Sequence, residues 1–237
     1  MYKDILLEWL KKNRMLVFTA KDASKVLGIN GSALSNLLKA MVKNDSIGEI
    51  MKGRYYFNGA PIRDIFSIAS KIIYPSYIAT ESAFERFGIS NIIPKKIRVI
   101  TTKAHRPINF NDADLLFIKF KPKRFFGYNE SKWISISSIE KAFVDSLYLG
   151  EFPFFTDLVN YHKQLIEYGR QLDYEKLIDY TFRMDSRILI NRVGFFLDYV
   201  NKGDILEKLI PHVYKKSLVA IDRSGQSFFN DKKWMIK

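Results

Sequence analysis

Two helical periods separated by Gly28-Ile29-Asn30-Gly31 constrain this chain more than any other feature. Thr19 with Asp22 three residues on has the form of a capping box, in which a hydroxyl and a carboxylate satisfy the free amides of a helix start. Ala23, Val26 and Leu27 share one face of the helix that follows, and Gly28 and Asn30 are residue types that accept positive φ in a tight turn. Over residues 32–44, Ala33, Leu34, Leu37, Leu38 and Met41 recur at helical spacing. Residues 47–50, a turn at Met51-Lys52-Gly53-Arg54 and Tyr55-Tyr56-Phe57 then predict a small hairpin. Ahead of these, residues 2–13 predict a helix with Ile5, Leu6, Trp9 and Leu10 as its buried stripe. Helix, turn, helix and hairpin is the plan of a winged helix-turn-helix, which places one helix in a DNA major groove.

The outward face predicted for the second helix suits that task. Ser32, Ser35 and Asn36 offer hydroxyls and an amide to base edges or phosphates, while Lys39 and Lys43 suit phosphates. Lys52, Arg54 and Tyr55 on the hairpin would reach the backbone or an adjacent minor groove. The same fold also serves protein contacts, so a packing or dimerising domain is the bland alternative. Residues 1–59 are expected to form the DNA-binding domain. Asn58-Gly59-Ala60-Pro61 reads as a hinge, with Pro61 suited to the first turn of a helix.

Residues 60–237 then predict a second domain with a small sheet and several helices, making the chain α+β and mainly helical. Helices are expected over residues 62–72 and 76–87, with Ser76 as a cap and Tyr77 a buried ring. Strands follow over residues 97–101, 115–120 and 133–135. From Ser138 onward the pattern is helical, over residues 139–149, 155–168, 174–184, 188–200 and 205–210. Residues 218–234, around Ser224-Gly225, suggest a terminal hairpin.

The formal charge of +13 is unevenly placed. Residues 1–59 carry 10 Lys/Arg against 5 Asp/Glu, and residues 95–132 carry 10 against 3, whereas the remainder is nearly balanced. Basic patches attract polyanions by Coulomb attraction and counterion release. Lys119, Lys121, Lys123 and Arg124, interleaved with Phe120, Phe125, Phe126 and Tyr128, form a second candidate nucleic-acid patch. The alternation Ile118-Lys119-Phe120-Lys121 equally describes a half-buried strand with a solvated lysine face, which is the favoured expectation. There is no cysteine, hence no disulfide framework and no thiolate zinc site. His105, His162 and His212 have no metal-binding spacing, so no metal or cofactor is expected. No apolar run reaches membrane-spanning length and no signal-peptide plan is present, which predicts a cytoplasmic protein.

An enzyme reading rests on Asp112 or Asp114 followed by Glu130-Ser131-Lys132. Two acids to hold Mg²⁺ and a lysine at the attacking water would make a metal-dependent nuclease. Acids flanking a turn are common, and such short motifs arise by chance. The expectation is that the chain is not an enzyme and has no catalytic residues.

Gly53-Arg54-Tyr55-Tyr56, Ile68-Ala69-Ser70, Pro75-Ser76-Tyr77-Ile78, Glu81-Ser82-Ala83 and Phe87-Gly88 stand in an order that resembles the AbiEi-type antitoxins. Phe125-Phe126-Gly127 and Ser138-Ile139-Glu140-Lys141-Ala142-Phe143-Val144-Asp145 extend the likeness over nearly the whole chain. The resemblance implies an antitoxin of a type IV toxin-antitoxin system tied to abortive infection, with a winged helix that represses its own operon at inverted repeats. It further implies a C-terminal domain that counters a nucleotidyltransferase-like toxin without a stable complex. Read as residues alone, these blocks look like scaffold, with Lys141 and Asp145 spaced for a surface ion pair of only about 0.3–0.5 kcal/mol. The runner-up is a stand-alone regulator whose C-terminal domain dimerises or senses a ligand.

Overall fold

The computed structural model describes residues 1–90, 95–151, 153–223 and 229–237. The protein is α+β and mainly helical, and it divides into two compact units. The first comprises Met1–Ile78, Lys95–Lys119 and Asn129–Ile136; the second comprises Ala79–Pro94, Phe120–Tyr128 and Ser137–Lys237.

The first unit opens with α1 (Tyr2–Lys12), β1 (Val17–Thr19), α2 (Ala20–Leu27), α3 (Gly31–Lys43), β2 (Ile47–Met51) and β3 (Arg54–Phe57). The expected capping box forms: Asp22 N donates to Thr19 Oγ1 at 3.1 Å and Thr19 N to Asp22 Oδ2 at 2.8 Å. Gly28 ends α2 in the left-handed region (φ 66°), where a side chain would be strained. The three strands make an antiparallel sheet in the order β1-β3-β2. Sequence pattern missed β1, since three residues are too few to show a period of two. Leu6, Leu10, Leu16, Phe18, Leu34, Leu38, Met41 and Ile47 are buried. Ile5, expected in the stripe of α1, is 44% exposed, and Trp9 is only half-buried. Leu6 and Leu10 suffice because an 11-residue helix at the edge of a small core buries a narrow stripe.

The residues read as a hinge are tied down. Asn58 Nδ2 donates to the carbonyl and carboxylate of Asp45 at 3.0 and 2.8 Å, and Ala60 is buried. Pro61 precedes the next helix rather than starting it. That helix, α4 (Ile65–Ile72), is capped by Asp64, whose carboxylate accepts from Ser67 N at 2.8 Å.

The helix expected from Ser76 does not begin there. Ser76–Ile78 is a strand, β4, and only Thr80–Arg86 (α5) is helical. β4 lies inside a sheet built with β5 (Lys96–Thr101), β6 (Ile108–Phe110), β7 (Ala113–Lys119), β8 (Tyr128–Glu130) and β9 (Ser135–Ser137), in the order β6-β7-β5-β4-β9-β8. With antiparallel β5 on one side and parallel β9 on the other, Tyr77 and Ile78 are covered on both faces, so the strand decides against local helix patterning. Ser76 serves this strand instead of a cap: its hydroxyl donates to the carbonyls of Ser70 and Ile73 at 2.9 and 2.6 Å. The third strand is likewise displaced from residues 133–135. Ser131 N donates to Ile134 O at 2.8 Å, which holds Trp133 in a turn, and β9 starts only at Ser135.

The second unit holds α5, α6 (Ile139–Leu149), α7 (Phe155–Glu167), α8 (Tyr174–Arg183) and α9 (Arg187–Tyr199), followed by 3₁₀ turns at Gly203–Lys208 and Ile210–His212. Ser138 caps α6 by accepting from Lys141 N at 3.2 Å. Near the C-terminus Val219 bridges in parallel to Ile236, and Trp234 is fully buried with its indole donating to Asp198 at 2.7 Å. Gly194 of α9 makes room for that ring: a Cβ there would fall 2.0 Å from it. Ser224, Gly225 and Phe228 of the expected hairpin lie outside the described residues.

Candidate nucleic-acid interface

α3 packs Leu34, Leu38 and Met41 inward and leaves Ser32, Ser35, Asn36, Lys39 and Lys43 outside the core, so the predicted face is a single open surface. No carboxylate occurs between Asp22 and Asp45, so neither the turn nor α3 itself carries one beside these lysines. Sequence reading missed Asn30. It is the N-cap, extended at φ −145°, exposed, and its side chain makes no cap bond. Its amide sits at the N-terminal end of α3. The clue was available, since Asn directly before a helical period is a favoured N-cap.

The three hairpin residues are placed differently from one another. Lys52 is exposed at the tip, beside Gly53 at φ 78°. The tip is anchored, because Gly53 O accepts from Ala20 N at 2.9 Å. Arg54 was expected to face DNA. Instead its guanidinium donates to the carbonyl of Ile72 at the end of α4, a backbone acceptor otherwise unpaired at a helix terminus. Tyr55 is half-buried, its ring stacked on Phe18 at 5.7 Å between centroids. Burial, and next the Glu49 carboxylate opposite it, push the Tyr55 phenol above its ordinary pKa, so it remains a neutral donor. Both residues hold the domain together.

The second candidate patch is divided, with two of its four cations engaged within the fold. Lys119 ends β7 and is exposed, as is Lys121. Phe120 is buried, and the chain turns into a 3₁₀ helix at Pro122–Arg124, so the alternation is not one long lysine-faced strand. Lys123 pairs with Asp185, whose carboxyl it holds below the usual range. Arg124 spans the end of α8: Nε donates to Met184 O at 2.6 Å, Nη2 to Asp185 O at 2.9 Å, and the guanidinium lies over Tyr148. Cations at a helix C-terminus satisfy its last carbonyls and its dipole.

Glu140 to Asp145 also depart from the sequence reading. Lys141 and Asp145 are fully buried and form a buried ion pair rather than a surface one. The Lys141 ammonium lies over Phe126 at 4.8 Å and Phe120 at 5.3 Å, and 3.7 Å from Met184 Sδ. Burial pulls the Lys141 pKa down, and Asp145 works against it. Gly127, at φ 72°, admits this packing, since a Cβ would lie 2.9 Å from Tyr180 and 3.1 Å from Lys141.

The nuclease pattern is not assembled. Asp114 lies on β7, bonded by Asn109 Nδ2 at 3.1 Å, and Asp112 in the β6–β7 turn. Glu130 lies on β8, beyond β5, β4 and β9, about 19 Å across the sheet at roughly 4.8 Å per strand. Glu130 faces Lys71, whose ammonium donates to Ser131 O at 2.7 Å and Ser135 Oγ at 2.8 Å. Among the described residues no group of three or more His, Asp or Glu side chains is placed to hold a metal ion. None of their helices is long and apolar enough to cross a membrane.

No protein-family model matches the chain, and no curated protein sequence does. The fold is similar to the crystal structure of the Rv2827c protein from Mycobacterium tuberculosis, with a TM-score of 0.62 at 15% identity, covering 99% of this chain and 90% of that one. At that identity the likeness is one of fold.

Proposed function

We propose that this chain is a DNA-binding antitoxin that represses its own operon through the winged helix-turn-helix, with α3 in the major groove. The observation that carries the DNA-binding part is the open, carboxylate-free face of α3, formed by Ser32, Ser35, Asn36, Lys39 and Lys43 and extended by Asn30. Polar groups at the helix start would read bases, and lysines further along would hold phosphates. Lys52 adds a phosphate contact from the hairpin tip. Two copies at inverted repeats would place two such helices about one DNA turn apart, near 34 Å.

The antitoxin part rests on the ordered blocks that resemble the AbiEi-type family. The partner is a nucleotidyltransferase-like toxin, countered without a stable complex. The interior placement of Ser70, Ser76 and the Lys141–Asp145 pair supports a scaffolding role for those blocks, so the neutralising surface lies on other residues.

A full-length Ser35→Ala, Asn36→Ala, Lys39→Ala variant tests both parts. One specific base contact is worth about 1–3 kcal/mol, so operator affinity should fall more than tenfold and repression should be lost. Expressed from an unrelated promoter, the same variant should still rescue cells from the toxin encoded beside it. Undiminished operator binding would refute the helix assignment. Loss of rescue in a folded variant would make neutralisation transcriptional.

A further inference from the structure

The second unit contains a cleft of about 440 Å³ between the start of α9 and the segment that follows the last 3₁₀ turn. Arg187, His212, Lys215 and Lys216 line it, and no carboxylate does. Arg187, Lys215 and Lys216 are exposed and enter no ion pair among the described residues. Asp185, the carboxylate nearest Arg187 in sequence, is taken by Lys123. Ile190, Pro211, Val213 and Tyr214 complete the lining.

This arrangement is held in place. Asn191 is fully buried, and its amide grips the backbone of Tyr214 at both ends: Nδ2 donates to Tyr214 O at 3.0 Å, and Oδ1 accepts from Tyr214 N at 2.8 Å. The His212 ring sits edge-on to Phe182 at 5.1 Å. A buried amide spent on one backbone position fixes the loop and leaves the side chains of Tyr214, Lys215 and Lys216 unencumbered.

We propose that this cleft binds a nucleotide, with its phosphates on Arg187, Lys215 and Lys216 and its base against Tyr214 and Pro211. Three unpaired cations call for more negative charge than one carboxylate supplies, and guanidinium and ammonium groups suit phosphate oxygens. Pro211 and the aromatic Tyr214 in the lining are residue types that suit a planar base. The volume falls in the usual range for small-ligand sites, about 300–1,000 Å³. The site is separate from α3 and independent of the proposed function.

The test is calorimetric titration of the full chain with ATP and GTP, beside adenosine and pyrophosphate. One saturable site per chain is expected, tighter for the nucleotides than for either fragment. Arg187→Ala with Lys215→Ala and Lys216→Ala should weaken it at least about tenfold, as loss of charge-assisted hydrogen bonds implies. These side chains are exposed, so the melting temperature should hold, and Lys215→Glu with Lys216→Glu gives a second variant of opposite charge. Tyr214→Ala should weaken nucleotides but not pyrophosphate. Ser35→Ala, Asn36→Ala, Lys39→Ala should bind like wild type. Absence of saturable binding, equal binding by the triple cation variant, or pyrophosphate binding as tightly as ATP would overturn the proposal. So would loss of binding in the α3 variant.

Discussion

Residues 1–59 and residues 95–132 each carry 10 Lys/Arg, and in both most are exposed, but three of the second set are tied into the fold against one, Arg54, of the first. In the first, Lys39, Lys43 and Lys52 stand on the open face of α3 and the hairpin tip. In the second, Arg98 is 7% exposed inside β5, while Lys123 and Arg124 close the C-terminal end of α8. A free lysine retains its full attraction for a phosphate; one already paired must first give up its partner. Basic content is therefore a weak guide to nucleic-acid binding, and the number of uncommitted cations on one surface is a better one.

The contrast can be broken by substitution. The largest effect is expected at the buried pair beneath the second stretch. Asp145→Ala leaves the Lys141 ammonium enclosed by Phe120, Phe126 and Met184 with its carboxylate gone, which should cost about 3–5 kcal/mol of unfolding free energy in a denaturant titration. Replacing both members together, Lys141→Met with Asp145→Leu, should recover most of that loss. A single variant as stable as wild type would mean that the ammonium is not held there.

Next in size is Arg124→Ala, which removes hydrogen bonds to Met184 O and Asp185 O and should cost about 1–3 kcal/mol. DNA affinity should be unmoved. A fall in DNA affinity with stability intact would instead put Arg124 on nucleic acid and erase the distinction between the stretches.

Lys39→Ala with Lys43→Ala should do the reverse. Stability should stay within about 0.5 kcal/mol, as for surface positions generally. The log–log salt slope of DNA binding should drop in magnitude by about 0.9 for each phosphate that is no longer neutralised. An unchanged slope would remove both lysines from the interface.

The smallest effect concerns pH. Residues 1–59 contain no histidine, so their DNA contacts should not change through the histidine range near 6.5. His162 in the second unit is buried and bonded to Tyr174 Oη at 2.7 Å. Burial, and then the Lys202 charge, lower its pKa in the folded state. The unfolded chain then binds the proton first, so the stability that neutral His162 contributes is present above the unfolded pKa and declines as pH falls below about 6.5. His162→Gln should flatten that part of the acid limb; an unchanged limb would assign it to other groups.

Much of the architecture was open to sequence reading wherever one helix face meets one core. The capping box at Thr19 and Asp22, the turn at Gly28 and helices α3, α6, α7, α8 and α9 all carry strong local signals within segments of 8 to 13 residues. The exposed face of α3 followed directly, because a helix that buries Leu34, Leu38 and Met41 must turn Ser35, Asn36 and Lys39 outward.

Tertiary structure decided whatever depended on a partner distant in sequence. β4 is a strand because β5 and β9 enclose it, and nothing within Ser76-Tyr77-Ile78 says so. Arg54 is engaged within the fold because Ile72 O lies within its reach, and the Lys141–Asp145 pair is core, not surface, with Phe120 and Phe126 against the Lys141 ammonium. Asn191 and Tyr214, which shape the nucleotide cleft, are joined only through folding. Periodicity reports which face of an element avoids water; which side chain a charge or a strand will meet there depends on long-range packing that no local window contains.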